Sequence, residues 1–200
     1  MEGIDIYERV ALIVIDVQKG ELPGCPSSGI AIMAGGPRRH KRIRELVDAA
    51  RASSVPVVFI QEVHKPSGVD FGRELDGDEG THCVEGEPGT EMAIVPRPDE
   101  YHIRKRRYSA FFATELDLVL RSLKAQTLIL VGALTDVCVH YTAVDAHQHD
   151  YHFRVVGDCV GGSTLRAHEA ALEAMTYLQR DAVVDSAQVL AVLDRAEMVA

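Results

Sequence analysis

The sequence lacks any apolar run long enough to cross a membrane, and its 200 residues carry a formal net charge of −9. A membrane-spanning helix needs about 20 mostly apolar residues, so we expect no insertion into a bilayer. An excess of acidic residues disfavours binding to nucleic acid or anionic lipid as the main activity. The first ten residues, MEGIDIYERV, also lack the basic and apolar regions of a secretion signal. We therefore expect a cytoplasmic protein whose partner is neither nucleic acid nor a membrane.

Cysteine is also scarce and unevenly spaced, with Cys25, Cys83, Cys138 and Cys159 as its four positions. Without a secretion signal, this spacing favours free thiols over a disulfide framework. The chain shows no internal repeat, no low-complexity segment and no linker that would divide it. Because 200 residues can bury one sizeable core, we expect a single domain over residues 1–200.

What the chain does contain is an alternation of strand-like and helix-like segments. Apolar runs typical of buried strands occur at 10–16, 56–61, 127–132 and 152–158, and a last short strand is expected at 182–185. Helical periodicity or a helix-like start predicts helices at 37–54, 114–123, 135–150 and 163–178. Thr114 and Asp117 have the spacing of a capping box at the start of the second helix.

These repeated strand–helix units predict an α/β protein with a three-layer, Rossmann-like fold. The central sheet should be mostly parallel, with helices on both of its faces. Sheets of this kind bind ligands at the carboxyl ends of their strands. Residues 62–100 are rich in Gly, Pro and acids and show little periodicity. A connection this long is usually functional, so we expect it to form one wall of the ligand pocket.

Three residues near predicted strand ends could act together. Asp16 ends the first strand, Cys138 lies at the start of a helix after the third long strand, and Lys105 precedes the sequence RRYSAFF. Taken singly, they could be a capping acid, a buried thiol and a surface cation. Taken together, a carboxylate can deprotonate a thiol, an ammonium can stabilise both anions, and the turn at 132–138 can direct N–H groups at an oxyanion. We find no Cys–His pair by spacing, so the acid is the better candidate for the base.

These residues lie in three separated motifs. ALIVIDVQ contains Asp16, KRRYSAFFATELDLVL contains Lys105, and LILVGALTDVCVHYTAVDA, with HFRVVGDCV behind it, contains Cys138. The combination resembles the isochorismatase-like cysteine hydrolases, a superfamily that includes nicotinamidases and N-carbamoylsarcosine, ureidoacrylate and biuret amidohydrolases. The resemblance runs from about Val10 to the C-terminal helix.

The resemblance implies a catalytic triad of Asp16, Lys105 and Cys138. It also implies an oxyanion hole formed by the backbone N–H groups of Leu134 and Cys138, and a cis peptide bond between Ala133 and Leu134. The implied activity is hydrolysis of a small amide, carbamoyl or ureido C–N bond through a thioester. A homodimer or homotetramer is the implied assembly.

Some features leave alternatives to this interpretation. The family often has an aromatic residue a few positions after the acid, whereas this chain continues DVQKGEL, which leaves the acyl side of the pocket undefined. A rival from another class is a non-catalytic binding or thiol redox-sensing protein on the same fold. Asp16 and Lys105 disfavour this rival, since redox sensing by Cys138 needs neither residue.

Glu62, His64 and His82 raise the question of a metal. Glu62 and His64 alternate along an extended segment and can face one side, and His82 can complete a set of two histidines and one carboxylate. The residues resemble the metal site of nicotinamidases, with glutamate in place of aspartate, which implies Zn or Fe and a metal-assisted nicotinamidase. The alternative is that these side chains bind loop backbone and order residues 62–100. Because many members of the superfamily act without metal, we predict that no cofactor is required.

Overall fold

The computed structural model describes residues 9–25, 29–77 and 79–197, the side chains of 195–197 excepted. Within these residues the apolar runs form the strands of one parallel sheet, in the order β3-β2-β1-β4-β5-β6. The strands are β1 (Val10–Ile15), β2 (Val57–Glu62), β3 (Tyr101–Lys105), β4 (Thr127–Ala133), β5 (His152–Gly161) and β6 (Val183–Val184).

Helices cover both faces of this sheet. They are α1 (Gly36–Ala52), α2 (Leu116–Ser122), α3 (His140–Gln148), α4 (Leu165–Leu178) and α5 (Ser186–Glu197). Because side chains alternate along a strand, Ile13 joins a core that contains α2, α3 and α4, whereas Val14 joins a core that contains α1 and α5. Burial on both faces explains why the central strands read as continuous apolar runs. The predicted three-layer α/β fold is confirmed.

The strand β3 was not predicted, because its sequence YHIRK is not an apolar run. It lies at the edge of the sheet beside β2, and only Ile103 and Lys105 of its five residues are buried. An edge strand needs fewer apolar side chains than a central one, so its composition gives a weak signal.

The capping box at Thr114 was a wrong prediction. The helix α2 begins at Leu116, and the side chain of its N-cap residue, Glu115, makes no capping hydrogen bond. Thr114 Oγ1 accepts a hydrogen bond from the Leu116 N–H at 3.2 Å, whereas the Asp117 carboxylate accepts hydrogen bonds from Arg121 and Tyr151. The predicted helix at 135–150 is also divided, into a π-helical turn at Thr135–Val139 and the helix α3.

The strand order brings four chain segments to one edge of the sheet. The carboxyl ends of β1, β2 and β3 lie side by side, with Glu62 paired to Lys105 in the register, and the π-helical turn follows β4. Gly132 permits the close approach of β4 to β1. Its φ is +120°, and a Cβ there would lie 1.8 Å from the Ile15 carbonyl oxygen. Among the helices in the described ranges, none has the length and apolar composition of a membrane span.

Candidate active site

The ammonium of Lys105 lies at the centre of the three residues predicted as a triad. Its Nζ is 2.9 Å from Asp16 Oδ2 and 3.3 Å from Cys138 Sγ. Lys105 is 1% exposed and Cys138 is 7% exposed. The structure therefore brings all three residues together at the carboxyl edge of the sheet, although 89 residues separate Asp16 from Lys105 along the chain (105 − 16).

The backbone holds the Asp16 carboxylate in a fixed orientation. Asp16 has φ +52°, a left-handed conformation that aspartate tolerates better than most residues. Its N–H donates to the Ile60 carbonyl at 3.0 Å, and its Oδ1 accepts from the Glu62 N–H at 2.8 Å. Only Oδ2 is left to face Lys105. A carboxylate with one anchored oxygen keeps the other one aimed at the thiol site.

Burial controls the protonation of this group of residues. Burial raises the pKa of the Cys138 thiol well above its usual value, and Asp16 and Glu62 add to the rise, while Lys105 opposes it. Burial also raises the pKa of Asp16, to about 6, against the opposing effect of Lys105. Burial alone would lower the pKa of Lys105, but Asp16, Cys138 and Glu62 outweigh it and hold that pKa well above its usual value. The resting site therefore holds an ammonium, a carboxylate and a protonated thiol that needs a base.

Glu62 links this triad to the proposed metal residues. One of its carboxylate oxygens, Oε2, accepts a hydrogen bond from Lys105 and lies 3.5 Å from Cys138 Sγ. The other, Oε1, lies 3.0 Å from His82 Nε2 and 3.3 Å from His64 Nε2. Burial acts to raise the pKa of Glu62, but Lys105 and the two histidines outweigh it and hold the pKa well below its usual value. The contact with the thiol was not foreseen from the sequence.

The turn that carries Cys138 follows a cis peptide bond and is held through Asp136. The peptide bond between Ala133 and Leu134 is cis, and both residues line the cavity beside Cys138. Asp136, inside the turn, accepts hydrogen bonds from the Ser163 N–H at 2.8 Å and from Ser163 Oγ at 2.5 Å. The turn is thus fastened to the segment that precedes α4.

Glu74 joins Glu62, His64 and His82 in a buried cluster that could hold a metal ion. One candidate ligand atom from each residue lies within 4.8 Å of the others. Glu74 Oε2 is 3.3 Å from His64 Nε2 and 3.8 Å from His82 Nε2. In the described part of the chain, neither oxygen of Glu74 has a hydrogen-bond partner, although both are buried. Glu74 could not be identified from the sequence, because it lies in the aperiodic segment 62–100.

The chemistry of this cluster fits a divalent ion. Both histidines direct Nε2 at the cluster, and His82 Nδ1 is held by the Gly80 carbonyl at 2.7 Å, as is usual for metal-bound imidazoles. Two imidazoles and two carboxylates are donors that Zn and Fe accept. Without a metal, protons on the histidines can balance the negative charge of the two carboxylates. Burial acts to lower the pKa of His64, but Glu62 and Glu74 outweigh it and raise it to about 9.

The alternative prediction, in which the side chains of Glu62 and His64 form hydrogen bonds with loop backbone, was wrong. Within the described residues, the Glu62 and His64 side chains bind one another and their cluster partners, and no loop carbonyl or N–H is bound by either.

A cavity of about 80 Å³ opens at the thiol. Asp16, Cys138 and Leu134 line its reactive end. The segment 62–100 contributes a wall, as predicted, with Glu62, Glu79, His82, Cys83 and Gly89 as its lining residues. A space of this size is smaller than the pockets that hold drug-sized ligands, so it suits only a compact molecule.

Known proteins are similar to this chain over most of its length. Residues 10–188 match the isochorismatase domain. The chain is 40% identical over 178 residues to maleamate amidohydrolase of Pseudomonas putida, which covers 86% of this chain and 81% of that protein. The chain belongs to the isochorismatase family. The resemblance seen in the three motifs is thereby confirmed.

Solved structures of this family share the fold. A cysteine hydrolase from Pseudomonas syringae pv. phaseolicola 1448A has a TM-score of 0.82 and 26% identity, over 94% of this chain and 93% of that chain. N-carbamoylsarcosine amidase from Thermoplasma acidophilum has a TM-score of 0.74 and 28% identity, over 89% of this chain and 96% of that chain. Because the named relatives are amidohydrolases, the prediction of a hydrolase that acts on non-peptide C–N bonds is confirmed at the level of the isochorismatase family.

Proposed function

We propose that this chain is a cysteine-dependent amidohydrolase that cleaves a small amide, carbamoyl or ureido C–N bond. The observation that carries the proposal is the Cys138 thiol, which lies 3.3 Å from the Lys105 ammonium at the end of a small cavity. Asp16 lies against the same ammonium, at 2.9 Å. The names of the maleamate amidohydrolase and N-carbamoylsarcosine amidase relatives support the same chemistry.

In the proposed first half-reaction, the Asp16 carboxylate takes the proton from Cys138 Sγ as the sulfur attacks the carbonyl carbon. The carbonyl oxygen becomes an oxyanion, which the N–H groups of Leu134 and Cys138 stabilise. The C–N bond then breaks, and the leaving nitrogen takes the proton from Asp16. Ammonia or an amine departs, and the acyl group remains on Cys138 as a thioester.

In the second half-reaction, Asp16 takes a proton from a water molecule that attacks the thioester carbonyl. The C–S bond breaks, the proton returns to the Cys138 sulfur, and an acid is released. Throughout both half-reactions the Lys105 ammonium offsets negative charge on the carboxylates and the sulfur. No redox change occurs.

Asp16 is a better proton acceptor than Glu62, although both approach the thiol. Glu62 shares its two oxygens among Lys105, His64 and His82, and these partners hold its carboxylate ionised. Asp16 has fewer charged partners, and its pKa of about 6 lies nearer to neutral pH. A base works best when its pKa lies near the working pH.

A second candidate is a metal-assisted amidase of the nicotinamidase type. The buried Glu74 carboxylate favours it, because it accepts no hydrogen bond among the described residues and lies 3.3 Å from His64 Nε2. Glu62, His64, Glu74 and His82 would hold the ion, which when bound would supply Lewis acidity and a fixed charge beside the cavity. The covalent steps at Cys138 require only residues of this chain, so we propose that turnover needs no cofactor.

The proposal is tested by ammonia release from a panel of anionic, neutral and cationic small amides, with carbamoyl and ureido compounds included. We expect wild type to release ammonia from at least one of these classes, with or without a chelator. Release from no compound would contradict the amidohydrolase proposal. Loss of activity on chelation, with nicotinamide as the best substrate, would favour the second candidate.

A further inference from the structure

The lining of the cavity is acidic. Asp16, Glu21, Glu62 and Glu79 contribute carboxylates, and no lysine or arginine among the described residues lines the cavity. Among the described residues, a substrate that carries a carboxylate would therefore find no basic side chain in the lining with which to pair.

Three of these carboxylates are already paired with basic groups. Lys105 is ion-paired with Asp16 and Glu62. Arg39 binds Glu21, and His40 Nε2 lies 2.7 Å from the same carboxylate.

His82 lines the cavity, but its ring is occupied too. Its Nε2 faces Glu62 Oε1 at 3.0 Å, and its Nδ1 faces the Gly80 carbonyl at 2.7 Å. Even when protonated, His82 has no N–H left for a substrate. A divalent ion in the cluster would be offset by the carboxylates of Glu62 and Glu74, so it would not make the cavity cationic.

Glu79 differs from the other three carboxylates. Within the described residues it forms no ion pair, and its Oε2 accepts a hydrogen bond from the Tyr108 hydroxyl at 3.3 Å. Burial raises the pKa of Glu79, against the opposing effects of His82 and Tyr108. Glu79 therefore faces the cavity without an ion pair among the described residues, and a cationic ligand can provide one.

The neutral polar side chains of the cavity also present hydrogen-bond acceptors to a ligand. Gln18 Nε2 donates to the carbonyls of Thr90, at 2.8 Å, and Glu62, at 3.2 Å, so its donors are occupied. The Gln18 Oε1 atom has only a long contact, at 4.0 Å, with the Cys83 thiol. The Tyr108 hydroxyl donates its hydrogen bond to Glu79. Apart from the proposed oxyanion hole, the side chains of the lining thus offer hydrogen-bond acceptors to ligand N–H groups. In the part of the chain that the structure describes, they offer no free donor to a ligand carboxylate.

We propose that the cavity selects amides whose acyl part is neutral or cationic over amides that carry a carboxylate, and that Glu79 determines this preference. This inference rests on the proposed function, since it names the substrate class for the Cys138 site. It separates this chain from a relative such as maleamate amidohydrolase, whose name denotes an anionic substrate.

The test uses three amides in which two methylene groups join the amide carbonyl to an ammonium, a methyl or a carboxylate group: β-alaninamide, butanamide and succinamate. Their binding to the Cys138→Ala variant is measured by NMR chemical-shift titration, and ammonia release is measured with wild type. We expect the tightest binding for β-alaninamide, with a preference over succinamate on the order of tenfold or more. Equal or tighter binding of succinamate, or no binding of any of the three, would overturn the inference.

The two readouts separate this inference from the proposed function. If the expected binding order is found but wild type releases no ammonia, the substrate preference of the cavity stands and the proposed hydrolysis fails. If wild type hydrolyses succinamate best, the proposed hydrolysis stands and the charge preference is overturned.

Variants of Glu79 test its assigned role as the residue that sets specificity. We expect Glu79→Gln, made in the Cys138→Ala background, to weaken binding of β-alaninamide on the order of tenfold while butanamide changes less than about twofold. Glu79→Lys should reverse the order and favour succinamate. The matched control is Glu87→Gln, which removes the same charge from an exposed position outside the lining. An equal loss in the control would overturn the role of Glu79.

Discussion

At the scale of single residues, the site depends on how Lys105 is surrounded. A lysine in the sequence RKRRY would ordinarily be a solvated surface charge, yet this one is 1% exposed. Two carboxylates, from Asp16 and Glu62, compensate for its burial. The same ammonium contacts Cys138, so one buried charge connects the base and the nucleophile of the proposed mechanism.

The Asp16→Asn variant tests the assigned base. The amide can keep the hydrogen bond from the Glu62 N–H but cannot take the thiol proton, so alkylation of Cys138 by iodoacetamide at neutral pH should slow by about tenfold or more. Peptide mass spectrometry measures the rate at each cysteine. Cys25, which is less buried than the other three, is the internal control. Unchanged labelling of Cys138 would exclude Asp16 as the base.

The Lys105→Met variant tests the buried charge. It leaves Asp16 and Glu62 buried without their cation, so the free energy of unfolding should fall by about 3–5 kcal/mol, and turnover should be lost. Urea denaturation measures the change. Lys19→Met is the matched control, because it breaks the exposed ion pair with Glu91 and should change stability little. Equal stability of Lys105→Met and wild type would contradict the account of this ion-pair network.

At the scale of elements, the π-helical turn Thr135–Val139 positions the nucleophile. The turn is held through Asp136, whose carboxylate binds the N–H and hydroxyl of Ser163. A matching arrangement occurs elsewhere in the chain, where Asp158 binds the N–H, at 2.8 Å, and the hydroxyl, at 2.6 Å, of Ser186. The two aspartate–serine pairs have similar hydrogen bonds, but only Asp136 lies in the turn that carries Cys138.

This pairing allows a matched comparison of Asp136→Ala with Asp158→Ala. Each variant loses two hydrogen bonds to a carboxylate and should lose about 2 kcal/mol of stability, as measured by urea denaturation. Asp158→Ala also loses a partly exposed ion pair with Arg42, which contributes little. Only Asp136→Ala should also lower the rate of ammonia release strongly, because it frees the turn that carries Cys138. Equal activity of the two variants would show that Asp136 does not position the nucleophile.

The Glu74→Gln variant tests the cluster formed with the histidines of the aperiodic segment. We expect Zn²⁺ to raise the thermal midpoint of wild type, since binding to the folded state stabilises it. The variant should show a smaller rise, because it replaces one of the two carboxylates. Equal midpoints with and without Zn²⁺ in wild type would contradict the fit of the cluster to a metal. Calorimetry of both proteins, with and without chelator, gives the comparison.

At the scale of the whole molecule, part of the fold followed from the sequence and part did not. The buried strands β1, β2, β4 and β5 were predictable, because helices on both faces make each of them a continuous apolar run. The edge strand β3 was missed, since half-exposed strands carry a weaker signal. The division of the helix after β4 was also missed, because periodicity does not distinguish a π turn from an α-helix.

The same contrast applies to the site. Residues at the ends of strands could be grouped from the sequence, because parallel strands bring their carboxyl ends to one edge of the sheet. That rule selected Asp16, and the three motifs supplied Lys105 and Cys138. Glu74 and Glu79 could not be found in this way, because they lie in a long segment whose path is set by tertiary contacts.

The central claim is that Cys138 is the nucleophile, and turnover by Cys138→Ala tests it most directly. Ammonia release is compared with wild type on the best amide of the panel, after far-UV circular dichroism shows that the variant is folded. We predict a loss of at least about a thousandfold, because the thioester can no longer form. Activity within about tenfold of wild type would contradict the claim and would leave the site without its proposed covalent step.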